Sequence, residues 1–164
     1  MLNTVAPALV AGFAGLLGVV VGGALEPYKL RAARRARVRQ DRAERCARLV
    51  ETTMTSRTRL LALNRAHRRG ITGKDLDEWM EKCREARNEL RQAVAVMHLS
   101  GPQKLINAAK ALREAERKLR EMRFVQEDDG KFNPDRAPES VMKMADALEA
   151  AVYEFAQIAR RYTS

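Results

Sequence analysis

Aromatic side chains make up 5% of this 164-residue chain, which has two cysteines, two histidines and no charged residue among its first 25 positions. Each scarcity removes a class of protein. Cys46 and Cys83 cannot build a disulfide framework; both fall on apolar helical stripes and read as small buried hydrophobes of a reducing compartment. His67 and His98 have no second His, Cys or carboxylate at ligand spacing, and neither follows a glutamate by three residues as in di-iron bundles. No metal site is therefore expected. A glycine-rich phosphate loop is missing, and no Ser or Thr has a His partner placed for catalysis. Neither catalytic residues nor a cofactor is expected, and the chain does not read as an enzyme.

What the chain does have is an uninterrupted apolar run. Residues 5–25 supply 21 positions, and a hydrocarbon core about 30 Å thick takes about 20 at 1.5 Å per residue, so the run predicts one membrane crossing. A cleaved secretory signal would carry a basic n-region, which Met1, Leu2, Asn3 and Thr4 do not provide. A soluble core helix would need a large, aromatic-rich protein to cover it on all sides. Within the run, Ala8, Ala11, Gly15, Gly18 and Gly22 recur in alternating steps of three and four. Lipid tails are as apolar as Leu, so membrane helices associate where small side chains allow close approach, and this stripe is the candidate surface for self-association. Its 3.5-residue mean spacing predicts a left-handed crossing.

The net charge of +10 is not spread evenly. Residues 26–69 hold 14 basic and 4 acidic side chains, whereas residues 71–164 hold 17 of each. A basic cluster on one flank of the span places that flank in the cytoplasm, with the N-terminus outside an inner (plasma) membrane. Lys29, Arg31, Arg34 and Arg35 lie nearest the span and are the candidates for contact with anionic lipid head groups. Basic helices also bind nucleic acid, but this one has no aromatic after Tyr28 on which bases could stack and no recognisable reading motif, so a nucleic-acid tether is the weaker alternative.

The remainder predicts helices. Pro27 removes the amide that would bond to Gly23, so Gly23 and Pro27 form an expected hinge. A helix over 28–69 should keep Cys46, Val50, Met54, Leu60, Leu61 and Asn64 on one face. Thr72 and Asp75 resemble a capping box for a second helix whose seam runs through Leu76, Trp79, Met80, Cys83, Ala86 or Arg87, Leu90, Ala93 or Val94, and Met97. Ser100 or Gly101 should cap a third helix with Pro102 in its first turn, ending near Gln126. Residues 127–137 read as a loop without the ligand pattern of a calcium site. A fourth helix over 138–162 has the cleanest seam, Val141, Ala145, Leu148, Val152, Phe155, Ala159 and Tyr162.

These lengths and short turns predict an all-α chain with three parts. Residues 1–26 form a transmembrane anchor, 27–43 a basic helical stalk, and 44–164 an antiparallel, coiled-coil-like four-helix cytoplasmic bundle. The functional expectation is a single-pass, membrane-anchored interaction or scaffold protein, a homo-oligomer that presents its bundle to a cytoplasmic protein partner. An oligomeric membrane pore gated by the bundle is the alternative, weakened by the lack of polar residues after Thr4 to line water.

Overall fold

The computed structural model describes the backbone of residues 5–125 and 133–163, and the side-chain surroundings of 28–99, 101–125 and 133–163. Among the described residues four helices follow one another: α1 (Val5–Arg68), α2 (Lys74–Ser100), α3 (Gln103–Glu121) and α4 (Glu139–Thr163). Among the described residues there is no strand. The chain divides into two compact units between Gln40 and Asp41, so that α1 contributes to both.

In the second unit, contacts between helices fix the topology. Along α1, Arg42 donates to the Tyr162 carbonyl at 3.3 Å, Arg57 to the Ala145 carbonyl at 3.1 Å and Arg68 to the Asn133 carbonyl at 3.1 Å. Residue numbers rise on one side and fall on the other, so α1 and α4 are antiparallel. Ser56 meets Glu116, and Asn64 meets the carbonyls of Arg123 and Val125, so α1 and α3 run parallel. Short turns reverse the chain at 69–73 and 101–102. The unit is an up-down-up-down helical bundle, the arrangement that short connections impose.

Its core comes in two layers. One joins Cys46 and Leu49 of α1, Leu90, Val94 and Met97 of α2, Leu105, Ala109 and Leu112 of α3, and Val152, Phe155 and Ala159 of α4. The other joins Leu60 and Leu61 to Leu119 and to Val141, Ala145 and Leu148. Each fully buried Leu, Val or Phe contributes about 1.5–3 kcal/mol by leaving water. The expected α4 seam is buried from Val141 to Ala159, and Tyr162 is half-buried at its end.

The α1 stripe differs from the expected one. Val50 and Met54 are only half-buried, while Leu49, Thr53, Ser56, Leu60 and Leu63 lie in the interior. The three-four rhythm is intact but passes through polar residues that an apolar count skips. Thr53 is accommodated because its hydroxyl donates to the Leu49 carbonyl at 2.7 Å, and Thr52 does the same to Arg48 at 3.0 Å. A buried hydroxyl so bonded avoids the 1–3 kcal/mol that an unsatisfied one costs, to order of magnitude.

Helix ends also depart from expectation. Gly70 takes φ +75°, its amide donating to His67 and that of Ile71 to Ala66, which closes α1 in a Schellman motif. Gly73, at φ +63°, is the N-cap of α2, so Thr72 stays exposed and no capping box forms; Asp75 and Asp77 instead favour the positive end of the helix. α2 runs through Ser100, and Pro102 is the N-cap of α3 where a first-turn proline was expected. Its carbonyl accepts the amide of Ile106 at 3.1 Å. α3 stops at Glu121, short of Gln126, where the amides of Met122 and Arg123 bond back to Leu119 and Arg120 in tight turns, and Asn64 donates to the Arg123 and Val125 carbonyls just beyond, at 3.1 and 3.2 Å.

Candidate functional site

The small-residue stripe of Ala8, Ala11, Gly15, Gly18 and Gly22, and the hinge at Gly23 and Pro27, lie outside the residues whose side chains are described; the α1 backbone is helical across them. Among the described residues, no helix is long and apolar enough to cross a membrane.

The first candidate surface is the described part of unit one. Every residue over 28–40 is exposed, including Lys29, Arg31, Arg34 and Arg35, and this stretch carries six cations and no carboxylate. Three large apolar side chains join them in solvent, Tyr28 at 69%, Leu30 at 71% and Val38 at 48% exposure. Helical periodicity places Ala32, Ala33 and Ala36 together on one face and spreads most of the cations over the rest.

The second lies between α2 and α3 of the bundle and was not anticipated. The N-terminal half of α2 was expected to present a buried seam, but Leu76, Trp79, Met80 and Cys83 are only half-buried. Lys82 sits 4.8 Å from the Trp79 ring centre and shields it. Where apolar contacts would close the α2–α3 seam, arginines stand instead. They line a groove of about 390 Å³, with Leu90 at its base, Arg87 and Arg91 on α2, and Lys110, Arg113, Arg117 and Arg120 on α3. A smaller hollow of about 160 Å³ adjoins it, sharing Arg87 and Arg120 and reaching Arg123 and Cys83.

Only two carboxylates line the larger groove, and both are engaged. Glu114 is bridged by Arg117, which also reaches Glu121; these contacts hold the Glu114 carboxyl below its usual range and push the Arg117 guanidinium up. Glu116 is buried, accepts a hydrogen bond from Ser56 at 3.3 Å and lies 3.4 Å from Arg120. Among the described residues, Arg87, Arg91, Lys110 and Arg113 have no ion-pair partner. The crowding is felt by Arg87, whose proton affinity is lowered first by the Arg120 charge, then by burial and by Arg91.

Other chemistry-bearing groups are structural. Burial pushes the Cys83 thiol up to about 11, against the opposing pull of Arg59, and also raises Cys46. Neither is poised as a nucleophile. His67 packs edge-on to Phe124 with ring centres 5.1 Å apart. Arg57 staples α1 to α4 through Glu149 at 3.0 Å, and Arg59 ties α1 to α2 through the Lys82 carbonyl at 2.6 Å. Among the described residues, no three His, Cys, Asp or Glu side chains are grouped to hold a metal ion.

The groove left a trace in the sequence. Arg87 and Arg91 are one turn apart on one arm of a helical hairpin, and Lys110, Arg113, Arg117 and Arg120 repeat at three-four spacing on the other. The balance of 17 basic and 17 acidic residues over 71–164 conceals this local excess. Comparison with protein-family models, curated proteins and solved structures found no match in any of the three.

Proposed function

We propose that this chain is a membrane-anchored helical interaction protein that self-associates through its anchor and presents the bundle to a cytoplasmic protein partner. The observation that carries the reading is the exposed helical stretch over 28–40, with six cations and no carboxylate, separated only by Glu26 and Pro27 from a 25-residue run without charge. Each basic side chain near an anionic leaflet contributes about 1 kcal/mol, and an exposed Tyr28 suits the head-group layer. The anchor would cross an inner (plasma) membrane once, over 5–25, with its basic flank and bundle on the cytoplasmic side. Gly23 and Pro27 would let anchor and stalk swivel.

Self-association rests on Ala8, Ala11, Gly15, Gly18 and Gly22, which share a helical face without bulky side chains. The test is the mass of the full chain in a neutral detergent, before and after Gly15→Ile and Gly18→Ile. The expected result is an oligomer that both substitutions shift towards monomer. A wild-type monomer, or an oligomer indifferent to both, contradicts the self-association.

A further inference from the structure

We infer that the arginine-lined groove between α2 and α3 is a binding site for a compact polyphosphate, two or three linked phosphoryl groups that bridge the two helices. The inference is independent of the membrane reading, because every residue concerned belongs to the bundle unit.

Charge comes first. Four cations, Arg87, Arg91, Lys110 and Arg113, converge on one groove without a carboxylate in ion-pair range among the described residues. Of the two carboxylates present, Glu114 is held by Arg117, and Glu116 is buried between Ser56 and Arg120, its pull on Arg87 outweighed by the Arg120 charge. Like charges repel at this range, and a polyanion would convert that repulsion into attraction.

Shape and chemistry then narrow the ligand. A volume of about 390 Å³ suits a small molecule, within the roughly 300–1,000 Å³ of ordinary ligand sites. The walls are nearly all charged, with Leu90 the apolar exception, so the ligand is an anion with little apolar surface. Guanidinium forks match phosphate oxygens two at a time, which carboxylates on a flexible acidic peptide exploit less well. Successive cations on each helix are one turn apart, about 5–6 Å, so one orthophosphate can meet only part of the set while linked phosphates meet both rows. No aromatic side chain lines the groove to stack a base, which disfavours nucleic acid.

Positioning is partly built in. Glu114 and Glu121 hold the Arg117 guanidinium by hydrogen bonds, and Glu116 stands 3.4 Å from the Arg120 Nε, so two of the six cations already have a carboxylate beside them. Fixed cations lose less freedom on binding.

The experiment is calorimetric titration of the full chain, in neutral detergent at physiological salt, with sodium tripolyphosphate and with orthophosphate. Three proteins are compared: wild type, Arg87→Gln/Arg113→Gln, and the control Lys143→Gln/Arg161→Gln, which removes two exposed charges from α4. The expected result is one tripolyphosphate site per chain, weakened at least tenfold or so by the groove pair and unchanged within about twofold by the control. Orthophosphate should bind at least about tenfold more weakly than tripolyphosphate. Thermal melting guards against misfolding: the groove variant should melt no lower than wild type, since it sheds like charges, and tripolyphosphate should raise the melting temperature of wild type but not of the variant. Absence of wild-type binding, equal weakening by the two pairs, or orthophosphate binding as tight as tripolyphosphate overturns the inference. So does a groove pair that leaves tripolyphosphate binding intact while abolishing binding to single-stranded DNA or to phosphatidylserine vesicles.

Discussion

The Ser56 hydroxyl of α1 donates to the buried Glu116 carboxylate of α3 at 3.3 Å, a polar contact set between two apolar layers. Glu116 is 3% exposed, and its other neighbour, Arg120, faces the groove. Through this pair, the interior of the bundle decides how an arginine on its surface is held.

Removing the carboxylate should therefore be costly. Glu116→Ala strands the Ser56 hydroxyl and frees Arg120 to add to the repulsion around Arg87, with an expected loss of about 2 kcal/mol in urea unfolding. Glu116→Gln keeps the acceptor for Ser56 and should lose about half of that. Equal losses would show that Ser56 is irrelevant to the effect.

Two glycines should respond to alanine for opposite reasons. At Gly70 an added Cβ meets nothing within 4 Å, but the φ of +75° is strained for an L-residue, so Gly70→Ala should cost about 1 kcal/mol of stability and leave the fold unchanged. At Gly101 the conformation is ordinary, yet a Cβ would stand 2.6 Å from the Met97 carbonyl oxygen, which is backbone. Gly101→Ala must open the α2–α3 turn, detectable as faster amide exchange at the end of α2 and the start of α3.

The Cys83 thiol ties the same region to pH. Its folded value, pushed up to about 11 by burial, exceeds the ordinary one of 9.0, so the folded chain keeps this proton where the unfolded chain releases it. Stability from Cys83 is fully present below pH about 9 and is lost as pH rises towards about 11. Cys83→Ala should flatten that part of the alkaline stability curve. In the native state, iodoacetamide should label Cys83 much more slowly at pH 8 than it labels a free thiol; labelling at the free-thiol rate would contradict the raised proton affinity of the half-buried thiol.

Phe155 fills the layer shared by all four helices and is fully buried. Phe155→Ala should remove about 3–5 kcal/mol, read from denaturant midpoints, against less than about 0.5 kcal/mol for exposed Tyr153→Ala two positions earlier.

Much of the fold was legible because apolar side chains at three-four spacing dominate α4 and the second half of α2. The seam from Val141 to Ala159, and Leu90 to Met97, lie where periodicity placed them. α1 misled where Thr53 and Ser56 carry the stripe: the Thr53 hydroxyl bonds a carbonyl one turn back and that of Ser56 the Glu116 carboxylate of α3, which makes both compatible with burial, and composition reveals neither bond. Thr72 misled as a cap because Gly73 can adopt a positive φ and take the capping position itself. The groove was only partly legible, for another reason. Arg87 could be seen beside Ala86 on the seam, but only the hairpin brings it opposite Arg113 and Arg120 on a separate helix.

The most direct test of a membrane-anchored interaction protein is alkaline carbonate extraction of membranes from cells making the full chain, which strips proteins held by charge and retains those that span the lipid. The chain should remain in the membrane pellet, and should move to the supernatant when Leu16, Val19 and Val20 are replaced by Lys. Release of the wild-type chain by carbonate would contradict the anchor, and with it the central claim.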